Sequence, residues 1–379
     1  MTTHSNHEGV RMSTHRDVVI IGAGQAGLAI GYHLARQGRD FTILDAAAEL
    51  GSAWRSRWDS LKLFTPARYD GLPGRDFPGP PDSYPTRDEV VDYLTGYARD
   101  FGLPVELNSP VRGLRRTEDG YLVELDDRTI DTAQVVIATG PFQTPRIPVQ
   151  LAEALDPRVV QLHSSDYRRP QDLPTGRVLI VGGGNTGFQI AEELAADRAR
   201  EVHLSVGSRQ TPLPTRIFGR ELFSVLQGTG LMAKTVTSRL GRRLKGRDTL
   251  VGSSPRRAKR QGIHMQTRTV STSGRQIGFD DGTSLTVDAV VWATGFDRDH
   301  SWIEAPVFDQ AGRVVQDRGV TTSPGLYFLG LPWMHTRGSA LLGWVKHDAA
   351  HIAEHIASLA QHSRADGERH AHAVPVAAS

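Results

Sequence analysis

Residues 18–27 read VVIIGAGQAG, and 160 positions later residues 178–187 read VLIVGGGNTG. Each stretch is a run of apolar, mostly β-branched residues, a glycine turn and the start of a helix, which is how a doubly wound α/β sheet begins. Each unit also closes on a matching phrase, QVVIATG at 134–140 and AVVWATG at 289–295. The chain therefore carries two nucleotide-sized sites. Because the second unit is bracketed by the two ATG phrases, it is expected to be inserted in the first, with the last 60-odd residues returning to complete the first domain.

The glycine spacing has a physical reading. In the first turn, Gly22 permits the tight bend, Gly24 lets the backbone approach a pyrophosphate, and Gly27 allows the helix to pack closely on the strand, with Gln25 and Ala26 between them. The free N–H groups of the helix start then face the phosphates. Asp45 ends the next strand, FTILD, where a carboxylate accepts hydrogen bonds from a ribose. The second turn repeats the spacing with Gly182, Gly184 and Gly187 around Asn185 and Thr186, yet its next strand, EVHLSV, runs into Gly207, Ser208 and Arg209. An acid there would repel a ribose 2′-phosphate, whereas Ser208 and Arg209 suit one, so NADPH fits the second site better than NADH. The bland alternative for Arg209 is an ordinary surface charge.

Composition excludes several classes. The 379 residues are 39% hydrophobic and 23% charged, which suits a two-domain globular protein. No apolar run approaches a membrane span, and the polar N-terminus lacks a signal-peptide core, so a cytoplasmic location is expected. Cysteine is absent. A chain without a thiol pair cannot pass electrons to its own disulfide, so the acceptor must come from outside. The net charge of +2 is unevenly spread: residues 231–260 hold ten Lys or Arg against Asp248 alone. That run reads as a membrane-surface or nucleic-acid patch, as a steering field for an anionic cofactor, or as a solvated, mobile helical insertion. It lacks interleaved aromatics for base stacking, so no nucleic acid is expected.

Elsewhere, residues 54–84 form a long loop rich in Pro, Gly and aromatics, of the kind that carries function. Thr86 and Glu89 make a capping box for a helix with Val90, Leu94, Tyr97 and Phe101 on one face. YLVELDD at 121–127 alternates like a hairpin strand, and another hairpin is expected near DDG at 280–282. GLYFLG reads as a buried strand, and a final helix is expected from about Ser339. Residues 1–16 read as a disordered lead, with Met12 a second potential start, and residues 362–379 as a disordered tail.

Together these stretches resemble the class B flavoprotein monooxygenases: the flavin-containing monooxygenases, their plant YUCCA-type relatives and bacterial CzcO-like flavoproteins. The resemblance covers about residues 17–360 and rests on GAGQAG, WDSLKLFTPARYDGLPG with SYPTRDEVVDYL, ATGPFQTPRIP, GGGNTGFQIAEEL, VWATGF and GLYFLGLPWMHTRGSALLGWVKHDAAHIAEHI. It implies an α/β fold of two Rossmann-like domains. An FAD-binding domain would span 17–145 and 296–361, and an NADPH-binding domain 146–295 would be inserted in it. It places Trp54, Arg55 and Thr65 near the flavin, and it adds Ala138, Thr139, Gly140 and Gly330 to the FAD site and Ala293, Thr294 and Gly295 to the NADPH site. One signature, FxGxxxHxxxY, departs: Pro157 and Val159 precede His163 and Tyr167. Tyr167 stands where Baeyer–Villiger enzymes carry Trp.

The implied chemistry is hydride transfer from NADPH to FAD, capture of dioxygen as a flavin C(4a)-hydroperoxide, and transfer of one oxygen atom to a small organic substrate, with nitrogen or sulfur favoured. Carbonyl oxygenation of Baeyer–Villiger type, a non-catalytic NADPH/FAD sensor and a plain NADPH oxidoreductase are the competing readings. The turn from Gly330 to Gly343 is implied to lie against the flavin, which makes His335 and Arg337 candidates to tune or protonate the peroxide; as plain sequence they read equally as surface residues. Phe64, Tyr69, Trp333 and Trp344 are candidate pocket walls, each also readable as core. His347, His351 and His355 follow a helical spacing, but no metal site is expected, since nothing orients them as ligands.

Overall fold

A computed structural model describes residues 12–245 and 249–372, with side chains from residue 13 to residue 361. Its first sheet is built on β1 (Met12–Ile21), followed by α1 (Gln25–Arg36) and β2 (Phe41–Leu44). Val18, Val19, Ile20 and Ile43 are fully buried, as strands covered on both faces require. After the long loop come α2 (Arg87–Asp100), β3 (Val105–Glu106), β4 (Gly113–Arg116), β5 (Tyr121–Glu124) and β6 (Arg128–Ile137). Thr86 caps α2 with the expected box: its hydroxyl accepts from the Glu89 N–H, and the Glu89 carboxylate accepts from the Thr86 N–H at 2.7 Å.

The chain then crosses to a second, wholly parallel sheet made of β7 (Val160–His163), β8 (Gly176–Val181), β9 (Arg200–Ser205), β10 (His264–Gln266) and β11 (Ala289–Trp292), with α3 (Asn185–Ala196) after β8. Its order is β10-β9-β8-β11-β7. The expected hairpin at 280–282 joins Gln276–Phe279 to Ser284–Thr286. The chain returns through β12 (Ile303–Glu304), which pairs with β4, and β13 (Leu326–Phe328), which runs parallel to Val135–Ile137 of β6. The first sheet thus reads β12-β4-β5-β6-β1-β2-β3, with β13 beside the end of β6. The outgoing and returning passages between the sheets are themselves paired, Thr144–Pro145 antiparallel to Phe296–Asp297.

α4 (Val345–His372) closes the first sheet. Gln134 anchors it: its amide donates to Ile356 O at 3.2 Å and accepts from the buried Tyr327 hydroxyl at 2.9 Å.

Four expectations are corrected here. Residues 12–16, read as part of a disordered lead, extend β1 and pair in register with Arg128–Thr132 of β6; residues 1–11 lie outside the described residues. The tail read as disordered from 362 continues α4 to His372, because no proline interrupts the chain before Pro375; residues 373–379 lie outside the described residues. The last helix starts at Val345 and not near Ser339: Arg337–Ala340 is a 3₁₀ turn capped by Thr336, and Leu341 is extended. The basic stretch keeps its described Lys and Arg side chains exposed, as expected, but it is helical only in part and is anchored to the rest of the molecule. It holds two short helices, Arg239–Leu244 and Pro255–Arg260, and a strand Thr249–Val251 paired with Thr211–Leu213, and it buries Met232 and Val251 against Trp344. Residues 246–248 lie outside the described residues.

Candidate functional site

The first glycine turn opens into a cavity of about 550 Å³ at the ends of β1, β2 and β6. Gly22 has φ +109°, and a Cβ there would lie 2.6 Å from Ala138 O; a Cβ on Gly27 would lie 1.8 Å from Gly22 O. A Cβ on Gly24 would meet nothing within 4 Å, so this backbone faces the open cavity where a pyrophosphate can approach. The second turn reproduces each role: Gly182 has φ +138° against Ala293 O, Gly187 abuts Gly182 O, and Gly184 is open. Each ATG phrase therefore supplies the alanine carbonyl against which its glycine turn is folded. Both turns fit a dinucleotide by the same test, a cradle that a side chain would fill.

Around the first cavity, Asp45 accepts from Ala23 N–H at 2.6 Å and Ala47 N–H at 2.9 Å and lines the wall. Gln25 accepts from the Trp54 indole at 3.1 Å and donates to Ala340 O at 3.4 Å, joining the start of α1 to the loop and to the late turn. Ala26, Trp54, Ala138, Thr139, Gly140, Gly330 and Ala340 all line the cavity, as does Gly24.

Of the predicted residues, Gly27 lies behind the turn against Gly22 O, and two that the resemblance places near the flavin do not line the cavity either. Arg55 turns outward to Glu49 at 3.2 Å, and Arg57 lines the cavity in its place. The Arg57 guanidinium lies 4.7 Å from the Phe142 ring and 5.2 Å from Phe296, and burial lowers its pKa. Thr65 is buried away from the cavity and donates to Asp70 Oδ1 at 2.7 Å.

Asp70 was not singled out by sequence. It is fully buried, its Oδ2 has no hydrogen-bond partner among the described residues, and its pKa is pushed up to about 8 by burial, against the opposing Thr65 hydroxyl and the charge of Lys346. A single Asp in a turn sequence gives no hint of such burial.

At the second site, Asn185 faces a neighbouring strand: its amide donates to Thr249 O at 3.0 Å and accepts from Val251 N–H at 2.9 Å. Thr186 follows it in the first turn of α3. Ser208 and Arg209 are exposed beyond the end of β9. Gln210 donates to Ser208 O at 3.0 Å, and Arg268 donates to Gly207 O at 2.6 Å. Arg268 escaped the sequence reading because the parallel pairing of β10 with β9, and not chain proximity, brings it there. The Thr294 carbonyl accepts from Arg146, and Gly295 O lies 3.0 Å from His163 Nε2. His163 is buried, which lowers its pKa, and Tyr167 donates to Glu193 at 2.8 Å. The surviving half of the signature thus braces the second ATG phrase and α3.

His335 and Arg337 do not line the first cavity. The His335 N–H donates to the buried Ser339 hydroxyl at 3.1 Å, and its carbonyl accepts from Val236 N–H at 2.8 Å. Arg337 donates to Thr249 Oγ1 at 2.5 Å, and burial lowers its pKa. Thr249 therefore holds both Asn185 of the second turn and Arg337 of the late turn.

Of the predicted pocket walls, three converge. Phe64 stacks on Phe223 with centroids 6.1 Å apart, Tyr69 stacks on Trp344 at 5.5 Å, and Phe223 meets Trp344 at 5.6 Å. The Tyr69 hydroxyl lies 2.8 Å from Ser224 Oγ. Trp333 stands outside this cluster.

The geometry agrees with comparisons to known proteins. A family model described as pyridine nucleotide-disulphide oxidoreductase matches residues 19–213. An uncharacterized CzcO-like oxidoreductase of Geobacillus kaustophilus is 44% identical over 343 residues, covering 90% of this chain and 98% of the relative. A probable indole-3-pyruvate monooxygenase of Arabidopsis thaliana, YUCCA9, is 26% identical over 90% of this chain and 89% of its own length. The solved structure of a flavin-containing monooxygenase from Stenotrophomonas maltophilia superposes with a TM-score of 0.74 at 30% identity, covering 91% of this chain and 99% of that one.

Proposed function

Because this chain belongs to the pyridine nucleotide-disulphide oxidoreductase family and, within it, to the CzcO-like members of the class B flavoprotein monooxygenase superfamily, we propose that it is a cytoplasmic, NADPH-dependent FAD monooxygenase. It transfers one oxygen atom of dioxygen to a small organic substrate, with nitrogen and sulfur centres favoured. The observation that carries this reading is the pair of equivalent glycine cradles in a chain without cysteine. Such a chain takes two electrons from one nucleotide and must pass them to an external acceptor.

FAD occupies the first cavity and NADPH the second turn; bound there, the flavin supplies hydride acceptance and the activation of dioxygen. Residues 17–145 with 296–361 form the FAD domain, and 146–295 the inserted NADPH domain. Gly24 leaves room for the pyrophosphate, Asp45 accepts from a ribose hydroxyl, and Trp54, held by Gln25, fixes one wall. Ser208 and Arg209, joined by Arg268, bind the 2′-phosphate through charge-assisted hydrogen bonds. Arg337 and His335 act as positioning residues, since their polar groups hold the 211–252 segment against the late turn.

The test is to mix the FAD-loaded protein anaerobically with NADPH, then admit ¹⁸O₂ with a thioether or tertiary amine. Flavin bleaching followed by one labelled oxygen per product supports the reading. Bleaching that yields only hydrogen peroxide, with and without substrate, overturns it in favour of a plain oxidoreductase. Failure of NADPH to bleach the flavin overturns it in favour of a sensor.

A further inference from the structure

The short strands Arg216–Ile217 and Arg220–Glu221 pair antiparallel around a two-residue turn, Phe218-Gly219. Both turn residues are left-handed, with φ +48° at Phe218 and +77° at Gly219. Asn or Asp normally fills the first position of such a turn, because a bulky side chain is unfavourable at positive φ. Here the position carries a phenylalanine that is fully exposed, at 101% of its reference area. A residue poorly suited to its backbone and poorly suited to water points to a use.

The segment that carries the turn is cationic, and Arg216 and Arg220 stand on the two strands beside its tip. Arg216, Arg220, Lys234, Arg239, Arg242, Arg243 and Lys245 are all exposed, and Glu221 is the single acid between 211 and 245. None of these seven forms an ion pair with a described residue. A second exposed apolar residue, Leu240, lies among them on the short helix Arg239–Leu244. The hairpin is held firmly from below: Ile217 packs with the buried Leu222, Phe223 and Met232. The tip is therefore presented, not merely left over.

We propose that this hairpin docks on an anionic lipid bilayer, with Phe218 inserted among the acyl chains, Arg216 and Arg220 beside it on the headgroup phosphates, and the other exposed cations of the segment adding long-range attraction. One apolar wedge or one basic patch alone binds a bilayer weakly, and the two together make a stable peripheral attachment. The same face suits nucleic acid less well, since Phe218 is the only exposed aromatic in the segment and no stacking platform accompanies it. No helix among the described residues is long and apolar enough to cross a membrane, so the attachment is to one leaflet.

The test uses the full-length FAD-loaded protein in co-sedimentation with vesicles of phosphatidylcholine alone or mixed with phosphatidylglycerol. Binding is expected only to the mixed vesicles, falling with added salt and unaffected by soluble glycerol phosphate. Phe218→Asn suits the turn better and should keep its flavin and its circular dichroism, yet lose vesicle affinity by about tenfold. The double change Arg216→Gln with Arg220→Gln should lose the salt-sensitive part. The proposal is overturned if the wild type ignores the mixed vesicles, binds neutral ones equally well, or is displaced by glycerol phosphate. It is equally overturned if Phe218→Asn binds as the wild type does. A concentration-dependent dimer abolished by Phe218→Asn would assign the tip to a second copy of the chain and overturn it too.

Discussion

Asp70 shows how far a single side chain can be set apart from its sequence neighbours. Its folded pKa of about 8 lies above the ordinary 3.8, so the folded state holds a proton that the unfolded chain has lost across that interval. Stability must therefore fall as pH rises through the window, by up to about 1.4 kcal/mol per pH unit. Asp70→Asn keeps the shape and does not titrate there, so its stability relative to wild type should rise from about pH 5 to about pH 8 in urea unfolding; parallel profiles for the two proteins would refute the assignment. The glycines permit a sharper contrast. Gly24→Val should yield a folded protein that loses FAD affinity by at least tenfold, on the order of 1.4 kcal/mol, because the new side chain enters the open cradle. Gly27→Val should fail to fold, since even its Cβ would lie 1.8 Å from Gly22 O; circular dichroism and flavin content separate the two outcomes. Arg268→Ala, which removes a guanidinium bonded to Gly207 O, one residue before Ser208, should raise the KM for NADPH by about tenfold and leave that for NADH unchanged. A parallel rise for both nucleotides would remove Arg268 from 2′-phosphate recognition.

At the scale of elements, the strand Thr249–Val251 joins two sites. Its backbone satisfies Asn185 at the second glycine turn, and the Thr249 hydroxyl takes Arg337 from the late turn. Asn185→Ala leaves the Thr249 carbonyl and Val251 N–H without that partner and should cost about 1–3 kcal/mol of stability. It should also raise the KM for NADPH while the protein keeps its FAD, which steady-state kinetics and flavin absorbance would check. This element also marks the boundary of what sequence can tell. The glycine turns and the Thr86 capping box were legible, because the residues that make them are within a few positions of each other. The start of α4 was not: from Ser339 onward the residues suit a helix, but Thr336 and Ser339 satisfy each other in a 3₁₀ turn and delay it to Val345. The sequence does not tell Arg55 from Arg57, because a one-turn helix, Ser52–Arg55, decides which arginine lines the cavity. The basic run showed its charge but not the burial of its Met232 and Val251 with Leu222, Phe223 and Trp344, since these residues are spread from 222 to 344 along the chain.

Over the whole molecule, the duplicated strand-turn-helix grammar carried two sheets and the return of the chain to the first, and family resemblance carried the rest. What neither carried was how the sheets are joined. Both passages between them run as one paired ribbon, Thr144–Pro145 with Phe296–Asp297, and Arg57 of the first unit reaches over one ring from each passage, Phe142 and Phe296. The sheet that opens the chain is finished by β13, whose Leu326 pairs with Val135. This arrangement imposes an order on synthesis. As the chain leaves the ribosome, β6 waits with half of one edge uncovered until roughly 190 more residues have emerged, while every strand of the parallel sheet is already present once Trp292 is out. Nascent chains arrested near residue 330, with the exit tunnel still holding the last few dozen residues, should therefore show a protease-resistant second unit tethered to a still-digestible first one. A first unit already resistant at that length would mean that β13 is dispensable to it. The unit that begins the polypeptide is the last to be completed.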